Sequence, residues 1–159
     1  MEEQDKRRRY QRIREQLEKL FAGTRDPIAR MATMASLLHH KMRGFSWTGF
    51  YLLRNSAPLA EPELLVGPYQ GPLACLKLPA HTGVCWAGID RGEPVVVPDV
   101  HAFPGHIACD PRSRSEVVVP VRNAAGSIVG VLDVDSTNPA NFDQVDAEEL
   151  SKLVALIYA

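Results

Sequence analysis

The sequence lacks any apolar run long enough to span a membrane, and its opening residues lack the apolar core of a secretory signal. It also lacks a large charge excess, since the net charge is −1, and this excludes the wide positive field of a typical nucleic-acid-binding protein. The short basic run at residues 6–9 is flanked by acidic residues and indicates a solvated helix face. We therefore expect a soluble cytoplasmic protein that binds neither nucleic acid nor a membrane.

Cysteine is scarce and odd in number, with Cys75, Cys85 and Cys109 as the three in the chain. Three thiols cannot all pair within one chain, which excludes the disulfide framework of a small secreted domain. Structural zinc sites use cysteines about two to four residues apart, and the sequence contains no Cys-x-x-Cys. The spacing therefore argues against a metal site, and we expect the cysteines to begin as thiols.

Periodicity along the chain predicts helices near both ends and strands between them. The helices are expected at 4–21, 27–42, 83–92 and after Asp143, and the strands at 45–54, 63–66, 73–78, 94–98, 117–122 and 127–135. This order is typical of an α+β fold, an antiparallel sheet with helices packed on it. Because the 159 residues contain no internal repeat and no long linker, we expect a single domain over 1–159, with an amphipathic helix within 1–22.

Residues 99–116 form a segment rich in turn-forming residues between two predicted strands. Cys109 follows a Pro-Gly turn there, with His106 upstream and the carboxylates of Asp110 and Glu116 downstream. A free cysteine is most often a small buried hydrophobe, but a polar loop that is held at both ends by strands is a common place for catalytic residues. These surroundings favour a reactive role for Cys109.

Two further features leave alternatives open. Asp133 and Asp135 share one face of a predicted strand because strand side chains alternate, and they indicate either a turn-capping cluster or a paired anionic site for an ammonium group or a metal. Cys85 lies in the first turn of the predicted helix 83–92. Its thiol is either acidified by the positive end of the helix dipole or buried beside its apolar neighbours.

Among chemistries that use a cysteine, a thiol redox reaction fits the available residues best. A cysteine protease or acyl transferase would use a base such as His106, but no signature of such a family surrounds Cys109. A redox enzyme needs an attacking thiolate, a second cysteine to resolve the oxidised first one, and a carboxylic acid to donate a proton. Cys109, Cys75 and Glu116 are candidates for these three roles.

Several motifs of this sequence occur together in one known family. They are Trp47-Thr-Gly-Phe-Tyr, Gly67-Pro-Tyr-Gln-Gly, Gly71-Pro-Leu-Ala-Cys75, Gly83-Val-Cys85, Phe103-Pro-Gly-His-Ile-Ala-Cys109-Asp, Ser115-Glu-Val-Val-Val-Pro120 and Gly130-Val-Leu-Asp-Val-Asp-Ser136. Together they closely resemble the free methionine-(R)-sulfoxide reductases, which are built on a GAF domain. The resemblance implies a GAF-like core over 45–157, with a central antiparallel sheet, the terminal helices on one face and the active-site loops on the other.

The resemblance also implies an activity: thiol-dependent reduction of free L-methionine-(R)-sulfoxide, without metal or organic cofactor, by an enzyme that thioredoxin recycles and that is often a homodimer. It places the nucleophile at Cys109 and the resolving cysteine at Cys75, on a mobile loop, with a disulfide between them in the catalytic cycle. Cys85 matches a third, auxiliary cysteine. The family usually has glycine where this chain has Trp86, which predicts a more buried Cys85.

The remaining site residues implied by the resemblance are acidic or aromatic. Glu116 and Asp135 match the carboxylates that polarise the sulfoxide, and the substrate-binding residues are expected to be Trp47, Tyr69 and Asp133. A buried cluster of these carboxylates would raise the pKa of one member by mutual repulsion. The alternative from another class is a non-catalytic GAF sensor that binds a small ligand or uses its cysteines as a redox switch.

Overall fold

The computed structural model describes residues 2–159, which contain a six-stranded antiparallel sheet in the strand order β3-β2-β1-β6-β5-β4. The elements in chain order are α1 (Glu3–Phe21), α2 (Pro27–Lys41), β1 (Trp47–Arg54), β2 (Glu63–Gln70), β3 (Lys77–Leu78), α3 (Gly83–Arg91), β4 (Val95–Val97), β5 (Ser115–Arg122), β6 (Ile128–Ser136) and α4 (Gln144–Val154), with a short 3-10 helix at Val100–Ala102. The predicted α+β fold is confirmed.

The alternation of side chains along the strands divides the core into two layers. Phe50 and Leu132 point to one face of the sheet and pack with the buried stripes of α1, α2 and α4. Trp47 and Val131 point to the other face, where α3 and the long loops cover them. The terminal helices and the loops thus lie on opposite faces, as predicted. No helix within residues 2–159 combines the length and the apolarity needed to cross a membrane.

Polar side chains fix the helix ends and join the first helix to the last. Asp26 caps α2 by accepting from the backbone N–H of Ile28 and Ala29, as its position before Pro27 predicts. Lys6 donates to Asp146 at 2.8 Å. Part of the basic run of α1 is therefore engaged with carboxylates of α4, where it stabilises helix packing.

Two strand boundaries differ from the prediction. The segment after Val66 was expected to turn, yet β2 continues to Gln70, which pairs with Thr48. Gly67 and Pro68 lie together opposite one residue of β1, at a register shift in the pairing. A bulge accommodates a proline without a lost ladder hydrogen bond, so the turn-forming residues mark a bulge here and not a turn.

The predicted positions of two candidate site residues are also corrected. The strand expected at 73–78 is wrong, because β3 holds only Lys77–Leu78 and Cys75 lies in the loop before it. The loop expected to reach Glu116 ends earlier, because β5 begins at Ser115. Glu116 therefore lies on a strand, paired with Asp135 of β6, which holds its side chain more rigidly than a loop would.

Arg30 is a buried residue of α2 that the sequence did not single out. Its guanidinium donates to backbone carbonyls at the ends of two other segments, and these acceptors are Phe21, Thr24, Leu156, Ile157 and Ala159. The side chain is 6% exposed. Carbonyls at helix ends lack partners within their own helix, so this one cation satisfies the ends of α1 and of the segment after α4.

We expect Arg30→Met to lower the free energy of unfolding by about 3 kcal/mol, because it leaves several buried carbonyls without a charged donor. Urea denaturation of the variant and of Arg25→Met, a matched change at an exposed neighbour, measures the effect. Equal losses in the two variants would contradict the role assigned to Arg30.

Candidate active site

Three neighbouring strands place Trp47 and two acidic residues of the site in one row. Trp47 on β1 pairs with Asp135 on β6, and Asp135 pairs in turn with Glu116 on β5. Asp133 lies two residues earlier on β6 and points to the same face. Side chains directly opposite or diagonal on adjacent strands are close enough to interact, so the sheet register brings together carboxylates that are far apart in the sequence.

The loops above this row close a cavity over the carboxylates. Cys75 and Cys109 form a disulfide there, with their Cα atoms 5.5 Å apart. The cavity encloses about 50 Å³, several times the volume that one water molecule needs. Its functional lining residues are Trp47, Cys85, Cys109, Glu116, Asp133 and Asp135. The structure thus assembles six of the eight predicted site residues around one cavity, and Cys75 joins them through the disulfide.

Two aromatic side chains of β1 hold the loop that carries Cys75. The indole N–H of Trp47 donates to the Pro72 carbonyl at 3.1 Å, and the Tyr51 hydroxyl donates to the Cys75 carbonyl at 3.0 Å. Gly71 begins this loop at a φ of 120°, where a side chain would also meet the Ser46 carbonyl. The sheet therefore positions Cys75 even though Cys75 itself lies outside the strands.

Tyr69 is a predicted site residue that neither lines the cavity nor joins it through the disulfide. Its ring stacks on Trp47 with centroids 5.2 Å apart, and it covers Gly49, where an added β-carbon would lie 2.3 Å from the Tyr69 β-carbon. Glycine is therefore required opposite Tyr69. The tyrosine ring packs against the Trp47 ring and stabilises its position. A contact between Tyr69 and a substrate stays a prediction.

Burial gives the three carboxyl groups raised pKa values. Desolvation raises the pKa of Glu116 well above its usual range, and the charges of Asp133 and Asp135 raise it further. Desolvation and the Asp133 charge likewise raise the pKa of Asp135, and desolvation raises that of Asp133. Ionisation of all three groups without a cation is unfavourable, so the cluster favours keeping a proton that it can donate.

The Cys85 thiol lies beneath this cluster, in the first turn of α3. Burial raises its pKa well above the usual value, and the charges of Asp133 and Glu116 raise it further. Of the two alternatives left open for Cys85, acidification by the helix dipole is therefore wrong, and burial is correct. Burial, together with the carboxylate charges, outweighs the partial positive charge at the start of α3, because the dipole supplies only about half an elementary charge.

His106 is the basic side chain among the residues that line the cavity. Its Nδ1 atom lies 4.0 Å from a carboxylate oxygen of Glu116, while burial and the neighbouring His101 lower its pKa. The imidazole is therefore neutral at pH 7 and leaves the carboxylates without a counter-charge.

Sequence reasoning missed two residues that shape the cavity. Tyr51 lines it and anchors the Cys75 loop. Ser113 also lines it and is buried. A period of two from Trp47 would have placed Tyr51 on the same face of β1. Ser113 lies in the loop before β5, where no periodic pattern identifies a buried side chain.

Comparison with known proteins identifies this constellation. A model of the GAF domain family matches residues 25–158. The free methionine-R-sulfoxide reductase of Escherichia coli is 41% identical, over 86% of this chain and 78% of its own length. The namesake from Saccharomyces cerevisiae is 37% identical over 91% of this chain and 83% of its own length. This chain belongs to the free methionine-R-sulfoxide reductase family of GAF domains.

Solved structures agree with this assignment to the free methionine-R-sulfoxide reductase family. An X-ray structure of the free methionine-R-sulfoxide reductase from Neisseria meningitidis, in complex with its substrate, superposes with a TM-score of 0.85 at 41% identity and covers 94% of this chain and 86% of that chain. The resemblance read from the sequence motifs is confirmed. In this GAF domain, every motif that carried the resemblance, apart from Gly67-Pro-Tyr-Gln-Gly, contributes a residue to the cavity lining or to the disulfide.

Proposed function

We propose that this chain reduces free L-methionine-(R)-sulfoxide to methionine, with Cys109 as the nucleophile and Cys75 as the resolving cysteine. One observation carries the proposal: the Cys75–Cys109 disulfide closes a cavity whose floor holds three carboxyl groups with raised pKa values, of which Glu116 and Asp133 are buried and Asp135 is half-buried. A sulfoxide sulfur becomes electrophilic when its oxygen is protonated, so a thiol and an acid must face each other across the substrate. The cavity brings these two groups together.

The chemical step transfers oxygen from the substrate to Cys109. The Cys109 thiolate attacks the sulfoxide sulfur while Glu116, supported by Asp135, donates a proton to the sulfoxide oxygen. Methionine leaves, and Cys109 remains as a sulfenic acid. The Cys75 thiol then displaces the sulfenic oxygen as water and forms the disulfide. The sulfoxide is thereby reduced by two electrons, and the two thiols supply them.

The cavity also suits a free amino acid. Asp133 would hold the substrate ammonium, a group that a methionine within a peptide lacks, and the Trp47 ring would pack on the methyl group. The first turn of α3 opens on the same cavity through Gly83 and Val84. The Thr82 hydroxyl donates to the Ala80 carbonyl, which leaves the N–H groups of that turn for the substrate carboxylate.

The catalytic cycle ends with reduction of the disulfide by a dithiol protein, for which we propose thioredoxin. Leu73 and Leu76 lie on either side of Cys75 in the sequence and are 88% and 78% exposed, so they offer apolar contacts to a reductant that attacks Cys75. Such a cycle requires a reducing compartment, and we therefore propose a cytoplasmic location. A homodimer is a further proposal, which the solution mass would test.

The test is turnover of free L-methionine-(R)-sulfoxide, followed as NADPH oxidation in the presence of thioredoxin and its reductase. We expect turnover of the R epimer, and little turnover of the S epimer or of a peptide that contains methionine sulfoxide, because the peptide lacks the ammonium and carboxylate that the cavity binds. Folded protein that turns over none of the three substrates would contradict the proposal and favour the sensor.

A further inference from the structure

Three side chains of ligand type converge on the floor of the cavity from three different elements. Cys85 belongs to α3, Glu116 to β5 and Asp133 to β6. The thiol sulfur and one oxygen from each carboxylate all lie within 4.8 Å of one another. Each residue is at most 5% exposed, so these ligands are held by the packed sheet and helix and not by flexible surface loops.

A second observation points to a missing partner at this position. Asp133 Oδ1 is buried and makes no hydrogen bond to a basic, amide or hydroxyl group among residues 2–159, and the groups that face the Asp133 carboxylate are the Cys85 thiol and the Glu116 carboxyl. The part of the chain that lines the cavity contains no lysine or arginine, and the Nδ1 atom of its imidazole, His106, lies 4.0 Å from a Glu116 oxygen, which is beyond hydrogen-bond distance. A buried carboxylate oxygen without a donor is costly, and a cation would satisfy it.

The chemistry of the three ligands selects the kind of cation. Thiolate sulfur is a soft ligand that Zn²⁺ and similar ions accept, whereas Mg²⁺ and Ca²⁺ prefer oxygen ligands. Bonds of about 2.0 to 2.3 Å in a tetrahedron place ligand atoms roughly 3.5 Å apart. The ligand atoms lie within 4.8 Å of one another, so a bound ion would draw them closer together.

We propose that Cys85, Glu116 and Asp133, brought together by α3, β5 and β6, bind a thiophilic divalent cation such as Zn²⁺. Binding converts the Cys85 thiol to a thiolate and releases its proton to solvent. The same carboxylates cannot then receive an ammonium group, so the cation and a free amino acid exclude each other. This last consequence rests on the proposed function, whereas the cation site itself does not.

The disulfide form of the protein permits a direct test. Of the three cysteines, all of which lie within residues 2–159, Cys85 is the free one. A thiolate-to-Co²⁺ charge-transfer absorption in oxidised protein therefore reports coordination by Cys85. Titration with Co²⁺ should produce this absorption with an endpoint of one ion per chain, Zn²⁺ should remove it, and Mg²⁺ should not.

Variants assign the ligands. Cys85→Ser should abolish the absorption, and Asp133→Asn should weaken Co²⁺ binding at least about tenfold. The control is His81→Ala, because His81 and Asp90 form an exposed pair that contains no thiol, so any Co²⁺ bound there would give no thiolate band. Wild-type protein that shows no thiolate absorption, or an absorption that survives Cys85→Ser, would overturn the site.

A competition experiment tests the consequence for the amino acid. Free L-methionine should raise the apparent dissociation constant for Co²⁺ more than the same concentration of L-alanine, which chelates the ion in solution to a similar extent. Equal effects of the two amino acids would overturn mutual exclusion and leave the cation site standing, so the two parts of the proposal fail separately.

Discussion

Cys109→Ser should release no methionine from free L-methionine-(R)-sulfoxide, whereas Cys75→Ser should release about one equivalent per chain and then stop. A serine hydroxyl has no thiolate to attack sulfur and cannot become a sulfenic acid, so we expect at least about a thousandfold loss of turnover. Cys75→Ser keeps the nucleophile and the acid. It lacks the thiol that removes the sulfenic oxygen, and the first turnover is therefore its last.

A single-turnover experiment with pre-reduced protein, freed of reductant, measures this difference as methionine formed per chain. The Cys75→Ser product should carry a sulfenic acid at Cys109, which dimedone traps and mass spectrometry locates. Cys85→Ser provides the comparison, because the disulfide does not contain Cys85 and this variant should pass through more than one cycle with thioredoxin. Methionine release by Cys109→Ser would assign the nucleophile elsewhere.

Glu116→Gln should lower kcat by about 10² to 10³ with a smaller effect on KM, because the amide cannot donate a proton to the sulfoxide oxygen. The same substitution should stabilise the fold at pH 8. Glutamine keeps the shape and the hydrogen-bonding capacity of the side chain, and it removes a charge that burial and two neighbouring carboxylates oppose. Glu116→Gln would thus lose activity and gain stability. This is expected where an active site contains charged groups that burial and mutual repulsion destabilise.

The sign of the pH dependence follows from the direction of the pKa shift. The folded-state pKa of Glu116 is raised above its ordinary value of 4.5, so the folded protein binds more protons than the unfolded chain between these two pKa values. The free energy of unfolding therefore falls as pH rises through this interval. The contribution of the protonated Glu116 carboxyl to the free energy of unfolding is fully present below the pKa of Glu116 in the unfolded chain. It is lost as the pH rises through the pKa of Glu116 in the folded protein.

Urea denaturation at pH 5 and pH 8, with the disulfide intact in all proteins, measures this effect. The wild type should lose more stability between the two pH values than Glu116→Gln does. Glu93→Gln, at an exposed position, should follow the wild type. If Glu116→Gln showed the pH dependence of the wild type, the raised pKa would have to be assigned to the two aspartates alone.

The sequence predicted the fold well where local patterns carry the information. The apolar periodicity of α1 and α2 and the cap at Asp26 depend on residues within a few positions of one another, and these predictions are confirmed. The boundaries of β2 and β3 were wrong, because a bulge at Gly67 and Pro68 depends on pairing with β1. Turn-forming residues alone do not distinguish a bulge from a turn.

The candidate site divides in the same way. The motifs around Cys75 and Cys109 indicated a redox family. They could be read from the sequence because each motif is a short run of neighbouring residues. The position of Tyr69 behind Trp47 and the buried anchor of Arg30 could not be predicted, because both depend on contacts between segments that are distant along the chain.

The sequence by itself determined the fold class, the family and the residue types of the active site, since periodicity and motifs are local properties of the chain. Tertiary structure decided what these residues can do together. The register of β1, β5 and β6 aligns Trp47, Asp135 and Glu116 in one row, and packing of α3 buries Cys85 beneath them. Burial and proximity set the pKa values of these groups, and both arise only when distant segments meet.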